Sequence, residues 1–203
     1  MPALLAIHPA MQPGLRQAVS SFATIGLMWC LSKEDSRRWC EGRAIALSDT
    51  GLPATPKRRY CVDAPLSGLN WSRLHWLGEV LVDHLEPFEE CLLWVTQWGV
   101  WPSSENLHLF YRVRGSYGEC RPLSGAPGHL FPKHEGQDLA TFIQLALLAG
   151  WDFWVLPVPS FAAVFVSHDE FLIMDTDNED HANGVKNALH GATLTGESES
   201  GGQ

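Results

Sequence analysis

Residues 91–117 read CLLWVTQWGVWPSSENLHLFYRVRGSY: an apolar run, a polar break and a second apolar run. Cys91–Val95 is short and apolar throughout and is followed by Thr96 and Trp98, which predicts a strand buried on both faces rather than an amphipathic helix. Trp101-Pro102-Ser103-Ser104-Glu105-Asn106 interrupts the run. In Leu107–Val113, Leu107, Leu109, Tyr111 and Val113 alternate with His108, Phe110, Arg112 and Arg114, which is the period of two of a strand. Two such runs joined by a short loop predict antiparallel neighbours whose turn sets Trp98 and Trp101 beside Ser103, Ser104, Glu105 and Asn106.

The chain around this pair reads as alternating helices and strands. Trp71–His84 repeats Leu74, Leu77, Val80/Leu81 and Leu85 at helical spacing, with Asn70 or Ser72 as cap and Pro87 as stop. Gly115–His134, with Pro122, Pro127 and Pro132, reads as a connection. A helix follows from Glu135 or Asp138 to Leu148, facing Leu139, Phe142, Ile143, Leu145/Ala146 and Ala149 inward and stopping at Gly150. Trp151–Pro157 is a compact strand, and Ala162–Met174 reads as a hairpin turning through Ser167-His168-Asp169-Glu170. The predicted fold is α+β, a two-layer sandwich of a mainly antiparallel sheet with helices on one face.

Residues 1–68 look different, being punctuated by prolines and carrying the basic trio Lys57-Arg58-Arg59. Leu15–Leu31 has helical spacing, and Ser32 offers an N-cap to a second helix reaching Ala46 or Leu47 with Glu34 and Asp35 in its first turn. Residues 51–59 read as a linker. The expected division is an N-terminal helical and loop appendage over 1–68, an α+β domain over 69–180 and an acidic, largely disordered tail over 181–203.

The net charge of −9 is uneven: residues 1–68 carry eight Lys/Arg against five Asp/Glu, and the remainder six against eighteen. An acidic main body disfavours nucleic acid and anionic membranes and suits a basic protein partner. Five widely spaced cysteines with no secretory pattern ahead of them predict reduced thiols in a cytoplasmic protein, and no apolar segment has the length of a membrane span.

The motif search leaves two candidate sites. Trp98, Trp101, Ser104, Glu105, Asn106, Arg112, Arg114 and Tyr117 combine large contact area with directed hydrogen bonds, the chemistry of a partner-binding surface. His168, Asp169 and Glu170, joined by Glu105 if both turns share one end of the sheet, form the alternative, a general-base site of a small hydrolase or nuclease-like enzyme. The same turn also reads as solvated surface. Cys120, His129 and His134 have no zinc spacing, and Asp175–Asp180 starts like a calcium loop but has Asp180 where glycine is required, so neither a metal nor a cofactor is expected. Phosphate-loop, dinucleotide, nucleophile-elbow and zinc-helix motifs are absent.

At WGVWPSSENLHLFYRVRGSYG, APGHLF and FVSHDEF the chain resembles small bacterial α+β proteins of the accessory or immunity type, over about residues 70–175. The resemblance assigns no role to any residue. With the charge it implies a non-enzymatic protein-binding module, immunity- or antitoxin-like, covering a basic partner.

Overall fold

The computed structural model describes residues 27–54, 58–67, 71–98, 104–189 and 193–196. Eight strands form one sheet: β1 Trp29–Leu31, β2 Tyr60–Pro65, β3 Glu90–Gln97, β4 Gly128–Pro132, β5 Asp152–Val158, β6 Ala162–Ser167, β7 Phe171–Thr176 and β8 Thr193–Gly196. Their order is β1-β4-β3-β5-β6-β7-β2-β8, and every neighbouring pair is antiparallel. The helices are α1 Lys33–Glu41, α2 Trp71–Leu85, α3 Ser104–Ser116, α4 Gly136–Ala149 and α5 Glu179–Ala188. This is the α+β architecture that the alternation of patterns predicts.

The interior strand β3 shows how both faces are filled. Cys91, Leu93 and Val95 point to one face, where they join Leu77, Leu81 and Leu85 of α2, Phe110 of α3, Phe142 and Ile143 of α4 and Val185 of α5. Leu92 and Trp94 point to the other, against Trp39 and Cys40 of α1 and Ile45. Phe142 is the hub of the first face, with ring centroids of Phe110, Phe131 and His129 at 5.5, 5.3 and 5.1 Å. Each such ring withdrawn from water contributes about 2 kcal/mol, the hydrophobic term that holds the layers together.

Helices therefore lie on both faces, four on the first and α1 on the second. Ser32 caps α1 as expected, its Oγ accepting the Asp35 N–H at 3.1 Å, but the helix ends at Glu41 rather than running to Ala46. The second face is reached so closely that a Cβ on Gly128 would sit 2.2 Å from Ser36 Oγ, so only glycine lets α1 settle on β4.

Several expectations are corrected. Leu107–Val113 is not a strand beside β3 but part of α3, because Phe110, Val113/Arg114 and Tyr117 recur at helical spacing and take the inward positions, while Leu109 and Tyr111 are exposed at 44% and 38%. The strands that flank β3 are β4, hidden in the stretch read as a connection, and β5. Trp29–Leu31, read as the end of a helix, is an edge strand, and the remainder of that helix up to residue 26 lies outside the described residues. β1 and β2 come from the stretch assigned to an appendage and pair within the sheet. The stretch assigned to a disordered tail holds most of α5 and β8, which pairs with β2. Among the described residues no helix is long and apolar enough to cross a membrane.

Candidate functional site

The proposed aromatic surface is dispersed by α3. Arg114 is fully buried and donates from Nη2 to the Ala126 carbonyl at 2.9 Å and from Nη1 to the Arg121 carbonyl at 3.4 Å, clasping the loop that leads into β4. Arg112, two positions away on a helix, is exposed, so the two arginines share no face. Trp98 is half-buried with its ring 4.9 Å from Trp151, and Tyr117 packs against the core with its ring 6.1 Å from Phe142. Trp101 and the side chains of Ser104, Glu105 and Asn106 lie outside the described residues.

The second candidate fares differently. Phe153 pairs with Val166, and Gln97 pairs with Asp152, so the end of β3, the start of β5 and the β6–β7 turn all meet at one end of the sheet. There His168 bonds not to its sequence neighbours but to Asp152, sixteen residues earlier. Its Nδ1 lies 2.7 Å from Asp152 Oδ1, and its backbone N–H donates to the same oxygen at 2.6 Å. Asp169 is a weaker neighbour, with Oδ1 3.5 Å from His168 Nε2. Glu170 is exposed and carries the turn at φ 62°, and its carbonyl accepts the Leu66 N–H at 2.6 Å. The Asp152 hydrogen bond, with the Asp152 and Asp169 charges, raises the His168 pKa above the usual imidazole value.

Asp152 also opens onto a hollow of about 270 Å³ on the second face, lined by Ser48, Thr50, Leu52, Pro53, Thr96, Gln97, Asp152, Trp154 and Phe165. Its floor is aromatic, Trp154 and Phe165 having ring centroids 4.9 Å apart. One wall is the turn after α1, where Ser48 Oγ lies 2.8 Å from Thr50 Oγ1 and Gly51 takes φ 71°, a conformation glycine adopts without strain. The opposite wall depends on a register shift in β3 between Val95 and Gln97. In a regular strand Thr96 and Gln97 would face opposite sides; the irregularity lets both border the hollow.

Beyond the hollow, the described residues cover the second face only in part. Phe165, Phe171 and Ile173 are half-buried and follow one another across β6 and β7, the Phe165 and Phe171 rings 6.0 Å apart, while Asp63 on β2 is exposed. Sequence reasoning missed this strip and Asp152. The available signal was one acidic residue opening the otherwise apolar run DFWVLPV.

The remaining chemical motifs have structural roles. His129 is fully buried, and burial, reinforced by the Arg114 charge, holds its pKa down at about 3, so it packs as a neutral ring. Cys120 and His134 are exposed elsewhere, and among the described residues no group of three ligating side chains gathers. Asn178, inside the calcium-like run, caps α5 by accepting the Asp180 and His181 N–H groups. Arg58 of the basic trio is occupied by Asp177 at 2.6 Å and Ser160 at 2.9 Å. None of the five cysteines forms a disulfide, and burial pushes the Cys40 thiol up to about 12. Searches against protein-family models, curated proteins and solved structures give no match to this chain.

Proposed function

We propose that the protein is a non-enzymatic protein-binding module that engages a basic partner through the open half of its second sheet face. The observation that carries this reading is the half-buried strip Phe165–Phe171–Ile173 lying beside the Asp152 hollow. Apolar side chains left at a surface next to carboxylates provide an apolar contact with a polar, acidic rim, as partner surfaces do. Asp63, Asp152, Asp169 and Glu170 set the sign of that rim, and the net charge of −9 supports association with a cationic protein. The accessory or immunity-type resemblance fits the same role.

The His168–Asp152 pair favours one alternative, acid–base catalysis. It is the lesser reading because, among the described residues, only Asp169 joins the pair, with Oδ1 3.5 Å from His168 Nε2, and no nucleophile stands beside the imidazole. Neither Asp169 nor Glu170 takes the orienting place that the enzyme reading gave them.

Affinity capture from the host, with full-length wild type against Phe171→Ser and Asp169→Lys, tests the binding reading. The expected result is one basic protein retained by wild type, lost by both variants and kept by an Arg112→Ala control on α3. Capture indifferent to the two second-face changes, or a partner that is acidic, would sink it. Hydrolysis abolished by His168→Gln would establish the alternative instead.

A further inference from the structure

Resting on that reading, we infer that the hollow is a socket for a single arginine side chain of the partner. Its volume of about 270 Å³ has room for one extended side chain. The lining separates into two chemistries. Trp154 and Phe165 form an aromatic floor, on which a planar, weakly hydrated guanidinium stacks more readily than an ammonium. Ser48, Thr50, Gln97 and Asp152 spread oxygen acceptors around the rim, matching the several N–H donors that a guanidinium presents in one plane.

Asp152 is the anionic end of this arrangement. Both bonds from His168 fall on Oδ1, and Oδ2 receives neither of them. Among the described residues, the charged groups in contact around it are His168 and Asp169 on the β6–β7 turn, and Asp49 sits between the lining residues Ser48 and Thr50 of the turn after α1. Arg37 of α1, which approaches that turn at Gly51, is already paired with Glu34 at 3.7 Å and Glu41 at 3.6 Å. Among the described residues the positive charge that offsets Asp152 is therefore the imidazolium of His168, and it disappears as pH rises. Arginine and His168 compete for one carboxylate, so each weakens the other's hold by the same factor.

The test is an NMR titration of the full-length protein with N-acetyl-arginine methylamide, its lysine counterpart and the uncharged citrulline counterpart. The arginine probe is expected to shift the Thr96 and Gln97 amides and the Trp154 indole, to lower the apparent pKa of His168, and to bind more tightly at about pH 8 than at about pH 6. Asp152→Asn is expected to weaken it by about tenfold, the loss of one charge-assisted contact, and Gln97→Ala by less, giving a second readout should the first variant unfold. Equal binding of citrulline or lysine, an unchanged affinity in both variants, or an unmoved His168 titration would overturn the socket. The binding reading is judged separately by Phe171→Ser. Partner capture lost there while the arginine probe fails would sink the socket alone, and capture indifferent to Phe171 would sink the larger reading.

Discussion

The two faces of the sheet carry similar side chains put to opposite use. On the covered face His129 is fully buried and held neutral, with a pKa near 3, and Arg114 is spent on two backbone carbonyls. On the other face His168 is partly exposed, has its pKa raised, and is bonded to a carboxylate that borders a hollow. Phenylalanines divide in the same way: Phe142 is 0% exposed among four aromatic neighbours, whereas Phe171 is half-buried at the end of the open strip. Residue type alone therefore does not mark a site here. What distinguishes the second face is that α1 and the turn after it cover one end and leave β6, β7 and β2 with partly exposed side chains.

Truncating each face tests that contrast most strongly. Phe142→Ala should cost about 3–5 kcal/mol, because the ring leaves a cavity that its neighbours cannot close. Phe171→Ala should cost about 1 kcal/mol or less, as expected at a half-exposed position. Urea unfolding midpoints measure both, and equal losses would erase the distinction between a packed and an open face. A smaller effect separates the arginines. Arg114→Met preserves volume but strands the Ala126 and Arg121 carbonyls, at a cost of about 2 kcal/mol. Arg112→Met on the exposed side of α3 should leave the midpoint unchanged, and a matching loss there would mean that Arg112 is held by contacts the helix geometry does not provide.

Much of this was legible in the residues, and the failures have physical causes. α4, β5 and the β6–β7 hairpin were readable because one periodicity dominates each, and the Ser32 cap because its chemistry is local. α3 was misread because LHLFYRV satisfies both periods. Phe110, Val113 and Tyr117 fit a helix while Leu107, Leu109, Tyr111 and Val113 fit a strand, and surface Leu109 defeats the assumption that apolar residues face inward. β4 was lost among prolines and glycines, its five residues GHLFP being defined by neighbours on either side rather than by their own pattern. Within the site, His168 was found and its partner was not. Asp152 lies sixteen residues away and becomes adjacent only through the β5–β6 pairing, which sequence spacing does not reveal.

The covered face contains one group whose titration sharpens the comparison further. Glu135, just ahead of α4, is 5% exposed, with a buried Oε2 that has no hydrogen-bond partner among the described residues. Burial, then the neighbouring Asp138 charge, push its pKa up to about 7, against the opposing pull of the Met28 N–H and His134. In the unfolded chain the same carboxyl titrates near the ordinary glutamate value of about 4.3. Between these two values the folded protein holds a proton that the unfolded chain has released, so this contribution to stability is full at acid pH and declines as pH rises, levelling off above about 7. Glu135→Gln keeps the shape and removes the titration. Its unfolding midpoint relative to wild type should therefore climb across that window, with the variant the more stable above it. His168→Gln on the open face should climb in the same sense from a different baseline: the raised pKa makes His168 stabilising while it is protonated, so that variant should be the less stable on the acid side and converge on wild type as pH rises. A Glu135→Gln variant no more stable than wild type above about pH 7, or a His168→Gln variant level with wild type on the acid side, would mean that the faces do not differ in how they treat charge.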